Sequence, residues 1–202
     1  MNKLLNLLPV VAIVGVGFIA WQRYQGSQAA SRPDYESSTA TAQSQPTGQL
    51  PQTTKHQVKR VTDGDTITLD NGDKIRFCGI DAPETKHNGQ PGQPLGEESK
   101  ANLQKLIDAA GGTVLVMEGE RDRYGRIVGE VFTKVAGSQE EKYLNGEQVR
   151  SGLAYDYKQY SKSCLNHDVI ETSEERAKAE KKGVWSGSYQ KPWDFRKVQR
   201  ER

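Results

Sequence analysis

Between Gln57 and Phe77, apolar and polar side chains alternate with a period of two, the spacing of strands that bury one face. QVKRV runs into DGDTITLD, where Ile67 and Leu69 alternate with Thr66 and Thr68. Asn71-Gly72 predicts a two-residue hairpin turn. The chain then returns through residues 74–79 with Ile75 and Phe77 on one face and Arg76 and Cys78 on the other. A Gly/Pro-rich stretch, DAPETKHNGQPGQPLG, predicts a loop. In GEESKANLQKLIDAAGG the period changes: Leu103, Leu106, Ile107 and Ala110 form a helical stripe that Gly111-Gly112 closes. TVLVME and RIVGEVFT predict two more strands, joined by GERDRYG. A short helix is expected around residues 145–151 and a charged one over about 168–182, stopped by Gly183. Short antiparallel strands with helices placed late predict a small α+β barrel.

The first 54 residues follow no such pattern. Residues 4–21, LLNLLPVVAIVGVGFIAW, carry no charge and lie at the lower edge of the ~20 residues that span a bilayer. Residues 1–24 are therefore expected to be a membrane anchor. Ser27-Gln28-Ala29 offers a cleavage site, so a signal segment and a secreted product stay open. Residues 25–54 are rich in Ser, Thr, Gln and Pro and predict a flexible linker. The globular domain is expected over 55–198, on the far side of the membrane and monomeric.

The 202 residues carry a formal charge of +2, which neither demands nor excludes an anionic partner. Two cysteines, Cys78 and Cys164, are too few for a disulfide scaffold and match no zinc spacing. They either pair or remain thiols, with free thiols marginally preferred. His87 is a rival to the nearby acids as a proton acceptor, Glu84 being the better candidate. Trp185 reads as a core anchor and 171–182 as a solvated helix face. Lys191, Arg196, Lys197, Arg200 and Arg202 form a basic tail, either solvated or touching phosphates.

Acids collect at both ends of the predicted hairpin. Asp63 and Asp65 are two apart and point to the same side, whereas Asp81 and Glu84 follow the returning strand. Antiparallel pairing brings the two groups together, and crowded carboxylates repel unless a cation joins them. Oxygen-only donors suit a hard ion, Ca²⁺ or Mg²⁺. Asp70 and Asp73 are read only as turn formers. Arg76 sits inside a strand, where a lone arginine ordinarily makes a structural ion pair. A second arginine, Arg126, stands in DRYGR at the mouth of another hairpin. Two guanidiniums beside a hard-cation site match the forked recognition of a phosphodiester.

DGDTITL, IRFCGIDAPET, DRYGR, VRSGLAY and KKGVW resemble the successive motifs of the staphylococcal nuclease (thermonuclease) family, over about residues 57–186. PWDFR resembles an extension of many bacterial members. The resemblance implies a five-stranded OB-fold β-barrel with three helices. It also implies direct Ca²⁺ ligation by Asp65 and Asp81 and by the backbone carbonyl of Ala82, which stands where the type enzyme has threonine, with Asp63 close to the ion. Ca²⁺ is preferred to Mg²⁺ on this ground alone. Glu84 matches the general base, and Arg76 and Arg126 match the arginines that hold the scissile phosphate. Tyr124 fits the tyrosine near the nucleotide, and Tyr155, Tyr157 and Tyr160 fall where stacking tyrosines are placed. The implied activity is a membrane-tethered, calcium-dependent nuclease acting on DNA and RNA, with single strands favoured because stacking needs unpaired bases. The alternative is a surface-anchored OB module that binds nucleic acid without cleaving it.

Overall fold

In the computed structural model, which describes residues 52–86, 89, 91–135 and 137–201, the period-two segments become strands. β1 spans Thr54–Asp63, β2 Thr66–Leu69, β3 Lys74–Phe77, β5 Thr113–Arg121 and β6 Ile127–Lys134. Three shorter strands have no counterpart in the alternation: β4 (Ile80–Asp81), β7 (Glu141–Tyr143) and β8 (Tyr155–Asp156). A strand of two or three residues is too short to show a period. The main sheet runs β3-β2-β1-β5-β6-β7, with β3 also pairing in parallel with β6, and β4 and β8 form a separate two-stranded sheet.

The helices are α1 (Gly96–Asp108), α2 (Leu144–Arg150), α3 (Lys158–Ser161), α4 (His167–Ala179) and α5 (Pro192–Arg200), with a 3₁₀ turn at Gly183–Trp185. The mixed α+β character stands, but the five-stranded barrel with three helices is corrected. Among the described residues the main sheet has six strands, and there are five α-helices. The hydrophobic helix expected at 4–21, the linker up to Pro51, and His87 lie outside the described residues. Among the described residues, no helix is long and apolar enough to cross a membrane. Among the described residues nothing supports the membrane-anchored reading or the placement of the domain beyond a membrane, and both are corrected to that extent.

The β2–β3 connection is longer than the two-residue turn expected. It occupies residues 70–73, closed by Leu69 N donating to Asp73 O at 2.9 Å. The register still sets Thr66 opposite Arg76 and Ile67 opposite Ile75. Ile67, Leu69, Ile75 and Phe77 are buried with Leu103 and Ile107 of α1 in one core. Each such side chain stabilises the fold by about 1.5–3 kcal/mol relative to exposure.

Two buried amides join the helices to the sheet. Asn145 Oδ1 accepts from Val131 N at 3.0 Å, and its Nδ2 donates to Cys78 O at 2.9 Å. Gln148 Nε2 donates to Gly64 O at 2.6 Å and to Ser99 O at 3.1 Å. The charged helix α4 is less solvated than its composition implies. Glu174 is buried, accepting from Asp156 N at 3.0 Å and pairing with Lys178 at 2.6 Å.

Cys78 and Cys164 form a disulfide, against the preference for free thiols. It ties the end of β3 to the segment before α4 across 86 residues of sequence. In the chain-entropy account, closing a loop of that length restricts the unfolded chain by about 4–5 kcal/mol. Cys164→Ser is accordingly expected to lower the unfolding free energy by about 2–5 kcal/mol, read from urea midpoints. An unchanged midpoint would show that the bridge adds no stability.

Candidate active site

The turn between β1 and β2 carries the first two acids. Its glycine is required by a close approach. A Cβ on Gly64 would lie 1.8 Å from Ser99 Oγ and 2.8 Å from the Ala82 Cβ. With Gln148 gripping the Gly64 carbonyl, the turn is pressed onto α1. Asp63 Oδ1 accepts from Asp65 N at 3.0 Å, which directs Asp65 inward.

Asp65 is buried and fully engaged. One oxygen pairs with Arg76 Nη1 and accepts from Thr66 Oγ1 at 3.0 Å; the other accepts from Ala82 N at 2.7 Å. Arg76 Nη2 donates to Asp81 Oδ1 at 2.7 Å. Asp81, at the end of β4, has a side chain with 0% exposure. The antiparallel hairpin thus brings Asp65, Arg76 and Asp81 together, as the alternation predicts.

Glu84 is positioned by the loop that follows it. Its N–H donates to Gln93 Oε1 at 3.1 Å, and its carbonyl accepts from Gln93 N at 2.8 Å. A Cβ on Gly96 would lie 2.3 Å from the Glu84 carbonyl oxygen, so α1 starts with a glycine where the loop crosses it. Gln93 therefore orients Glu84, a role with no sequence signal beyond its place in a Gly/Pro-rich loop.

A second guanidinium completes the cluster. Arg196 of α5 donates from Nη1 to Asp81 Oδ1 at 3.0 Å and Glu84 Oε1 at 2.6 Å, and from Nη2 to Asp81 Oδ2 at 2.7 Å. The tail is therefore a docked helix, and its arginine joins Asp81, expected as a metal ligand, to Glu84, expected as the general base.

Arg126 stands elsewhere. It lies on the β5–β6 turn, with Nε and Nη2 on Asp122 Oδ2 at 2.8 and 2.7 Å. Its guanidinium also lies 5.5 Å from the centre of the Tyr124 ring, which is 67% exposed. The parallel register, Ile75 opposite Ile127 and Arg76 opposite Val128, seats this turn beside the start of β3. Of the other tyrosines, Tyr155 is buried, edge-on to Trp185 and Trp193. Tyr157 stacks on Trp193, with centroids 5.0 Å apart and planes 3° from parallel. Tyr160 is half-exposed and meets Tyr157 edge-on. β8 pairs Tyr155 with Asp81, which sets Tyr157 beside the acids.

Comparison with known proteins decides the family. Residues 74–187 match the family described as "Staphylococcal nuclease homologue". The chain belongs to the staphylococcal nuclease family.

Relatives within this family include an Escherichia coli protein named "Uncharacterized endonuclease". It is 36% identical over 144 residues, covering 69% of this chain and 83% of the relative. The "Probable endonuclease LCL3" of Verticillium alfalfae is 36% identical over 140 residues, 66% of this chain. The match spans 45% of that protein, so this chain covers less than half of its fungal relative. The "Probable staphylococcal-like nuclease CAN2" of Oryza sativa subsp. japonica is 34% identical over 128 residues, 63% of this chain and 30% of its own length. Family membership supports a nuclease-type hydrolase.

The staphylococcal nuclease family implies a divalent cation, and the arrangement of the acids in this structure does not fit one. Every oxygen of Asp65 and Asp81 is taken by Arg76, Arg196, Thr66 or the Ala82 amide. Among the described residues, no group of three or more His, Cys, Asp or Glu is set to hold a metal ion. The expected calcium-dependent, membrane-tethered nuclease is corrected on both points. Arginines join the acids, and no described helix is a membrane span.

The protonation of the acids follows from this packing. Burial pushes the Asp63 carboxyl up to about 8, reinforced by the charge of Asp65 beside it. Burial is the largest influence on Asp65 and works upward, but the Arg76 charge and the hydrogen bonds from Asp63, the Ala82 amide and Thr66 together outweigh it and hold that carboxyl below its ordinary value. Burial raises Asp81, with Arg196 and Arg76 opposing.

An Asp63 side chain titrating near 8 when folded and near 3.8 when unfolded binds the extra proton in the folded state. Its contribution is fully present at low pH and is lost as pH rises through that window. Relative to wild type, Asp63→Asn is expected to become steadily more stable between about pH 4 and pH 8 in urea melts. A constant difference across that range would refute the raised value. Gly64→Ala is expected to destabilise by about 1–3 kcal/mol through overpacking on Ser99, and a neutral thermal melt would contradict the contact.

Proposed function

We propose that this protein is a nuclease that hydrolyses phosphodiester bonds of DNA and RNA at the cluster of Asp65, Arg76, Asp81 and Glu84. The observation that carries the reading is Arg76, a permanent cation held between Asp65 and Asp81 with Glu84 alongside through Arg196. A phosphodiester at this place meets a fixed positive charge next to an acceptor for a proton. Water oxygen bonds to phosphorus, its proton passes to the Glu84 carboxylate, one P–O ester bond breaks, and the departing alkoxide takes a proton from solvent. Arg76 stabilises the charge that gathers on the non-bridging oxygens.

Arg126 is the second guanidinium in this reading. It reaches the phosphate by exchanging Asp122 for phosphate oxygens, to which its fork is equally suited. Tyr124, Tyr157 and Tyr160 offer ring faces to unpaired bases, which favours single strands; the buried Tyr155 supports the others. Asp65, Asp81 and the Ala82 carbonyl, with Asp63 adjacent, are the oxygens that the family resemblance assigns to a divalent cation, Ca²⁺ foremost.

A non-catalytic nucleic-acid-binding module is the competing reading, favoured by the complete pairing of Asp65 and Asp81. Incubating the full chain with a single-stranded DNA oligonucleotide, with Ca²⁺, Mg²⁺ or Mn²⁺ or with chelator, separates the two. Cleavage is expected, and Arg76→Ala is expected to slow it about a hundredfold or more with the circular dichroism spectrum retained. Retention of the oligonucleotide uncut under every ion would leave the binding module.

A further inference from the structure

The disagreement between the family's implied cation and the pairing of the acids has a specific author in the chain: helix α5. Arg196 covers both oxygens of Asp81 and one of Glu84 at 2.6–3.0 Å. Three residues earlier, Trp193 lies flat on Tyr157. Spacings of three and four put two side chains on one helix face. One face of α5 thus occupies both the acids and a ring surface that the proposed nuclease would offer to a base.

The helix is lightly held. Pro192 is its only buried residue, against four in α1. It follows a turn at residues 186–188 that includes Gly187. Besides Trp193 and Arg196, a single side-chain bond, Gln93 Nε2 to the Gln190 carbonyl at 2.8 Å, ties the segment before it to the site loop. Elements with few buried contacts open at low free energy. The Arg196 side chain is itself 35% exposed, so solvent reaches its outer side.

We propose that α5 is a displaceable strap: Arg196 competes with a divalent cation for Asp81 and Glu84, and Trp193 shields Tyr157 until the strap leaves. This rests on the nuclease reading only in taking the acids as the place where a cation acts. A hard cation needs carboxylate oxygens with free lone pairs, and withdrawal of Arg196 releases Asp81 Oδ2 and Glu84 Oε1 while Asp81 Oδ1 stays with Arg76. The apparent cation affinity is then the intrinsic one reduced by the fraction of molecules with α5 released. The strap therefore sets the cation concentration at which the acids load.

The test uses the full chain and Ca²⁺ as probe. Arg196→Gln is expected to bind Ca²⁺ about tenfold tighter or more by calorimetry. In the wild type, Ca²⁺ is expected to speed amide hydrogen exchange across residues 192–200 while leaving α1 unchanged. Trp193→Ala, which loosens the same helix without touching the acids, is expected to shift Ca²⁺ affinity in the same direction. It keeps the test decisive if Arg196→Gln misfolds. Equal or weaker Ca²⁺ binding in these variants, or exchange in α5 that Ca²⁺ leaves unmoved, overturns the strap. Tighter binding in the variants with no DNA cleavage by any form supports the strap and sinks the nuclease reading. Cleavage with unaltered Ca²⁺ affinity does the reverse.

Discussion

Arg76 is a cation that does not lose its proton, placed inside a strand of a buried sheet, and Asp65 and Asp81 are tolerated as buried acids because it is there. Removing either sign alone leaves the other stranded in a low-dielectric interior, at a cost of about 3–5 kcal/mol. The geometry follows from that constraint. The β2–β3 register puts Thr66 across from Arg76, so the residue before Thr66 lies within reach of the guanidinium. The short β4 then delivers Asp81 to its other side. Asp65 also binds the Ala82 amide, which joins the two ends of the hairpin directly.

Around this triad, the supporting contacts are polar and buried. Gln148 and Asn145, both fully buried, carry the α2 side of the domain to the Gly64 turn and to Cys78. The disulfide reinforces the same junction from the other end of the chain. Buried networks of this kind fix position when every member is satisfied. A strand-end carboxylate held this way retains its place when a charged substrate arrives, which is what electrostatic preorganisation requires.

The convergence of Asp65, Arg76 and Asp81 was legible because it depends on alternation and one hairpin, both local. The long strands and α1 were legible for the same reason: Ile67, Leu69, Leu103 and Ile107 sit at regular spacing. What failed depends on distant pairing. β4 and β8 are two residues each and exist only because they find each other across 75 residues of chain. Arg196 reaches Asp81 from 115 residues away. Nothing local distinguishes it from the other arginines of a basic tail. The pairing of Cys78 with Cys164 is likewise a matter of tertiary proximity. The tyrosines divide by burial: Tyr155 lies within β8 and is buried, whereas Tyr157 lies just past the end of that strand, where the chain leaves the pairing, and stacks on Trp193.

Glu84 and Gln93 are joined by two hydrogen bonds, of 2.8 and 3.1 Å, that pinch the chain at both ends of the interval 85–92. Once its ends are clamped, doubling the length of a loop adds only about 0.6 kcal/mol of closure entropy. Insertions and deletions between these two anchors therefore leave the acid in register with its neighbours. The interval is a natural graft point, where length and lettering can change while the two anchors keep Glu84 in place.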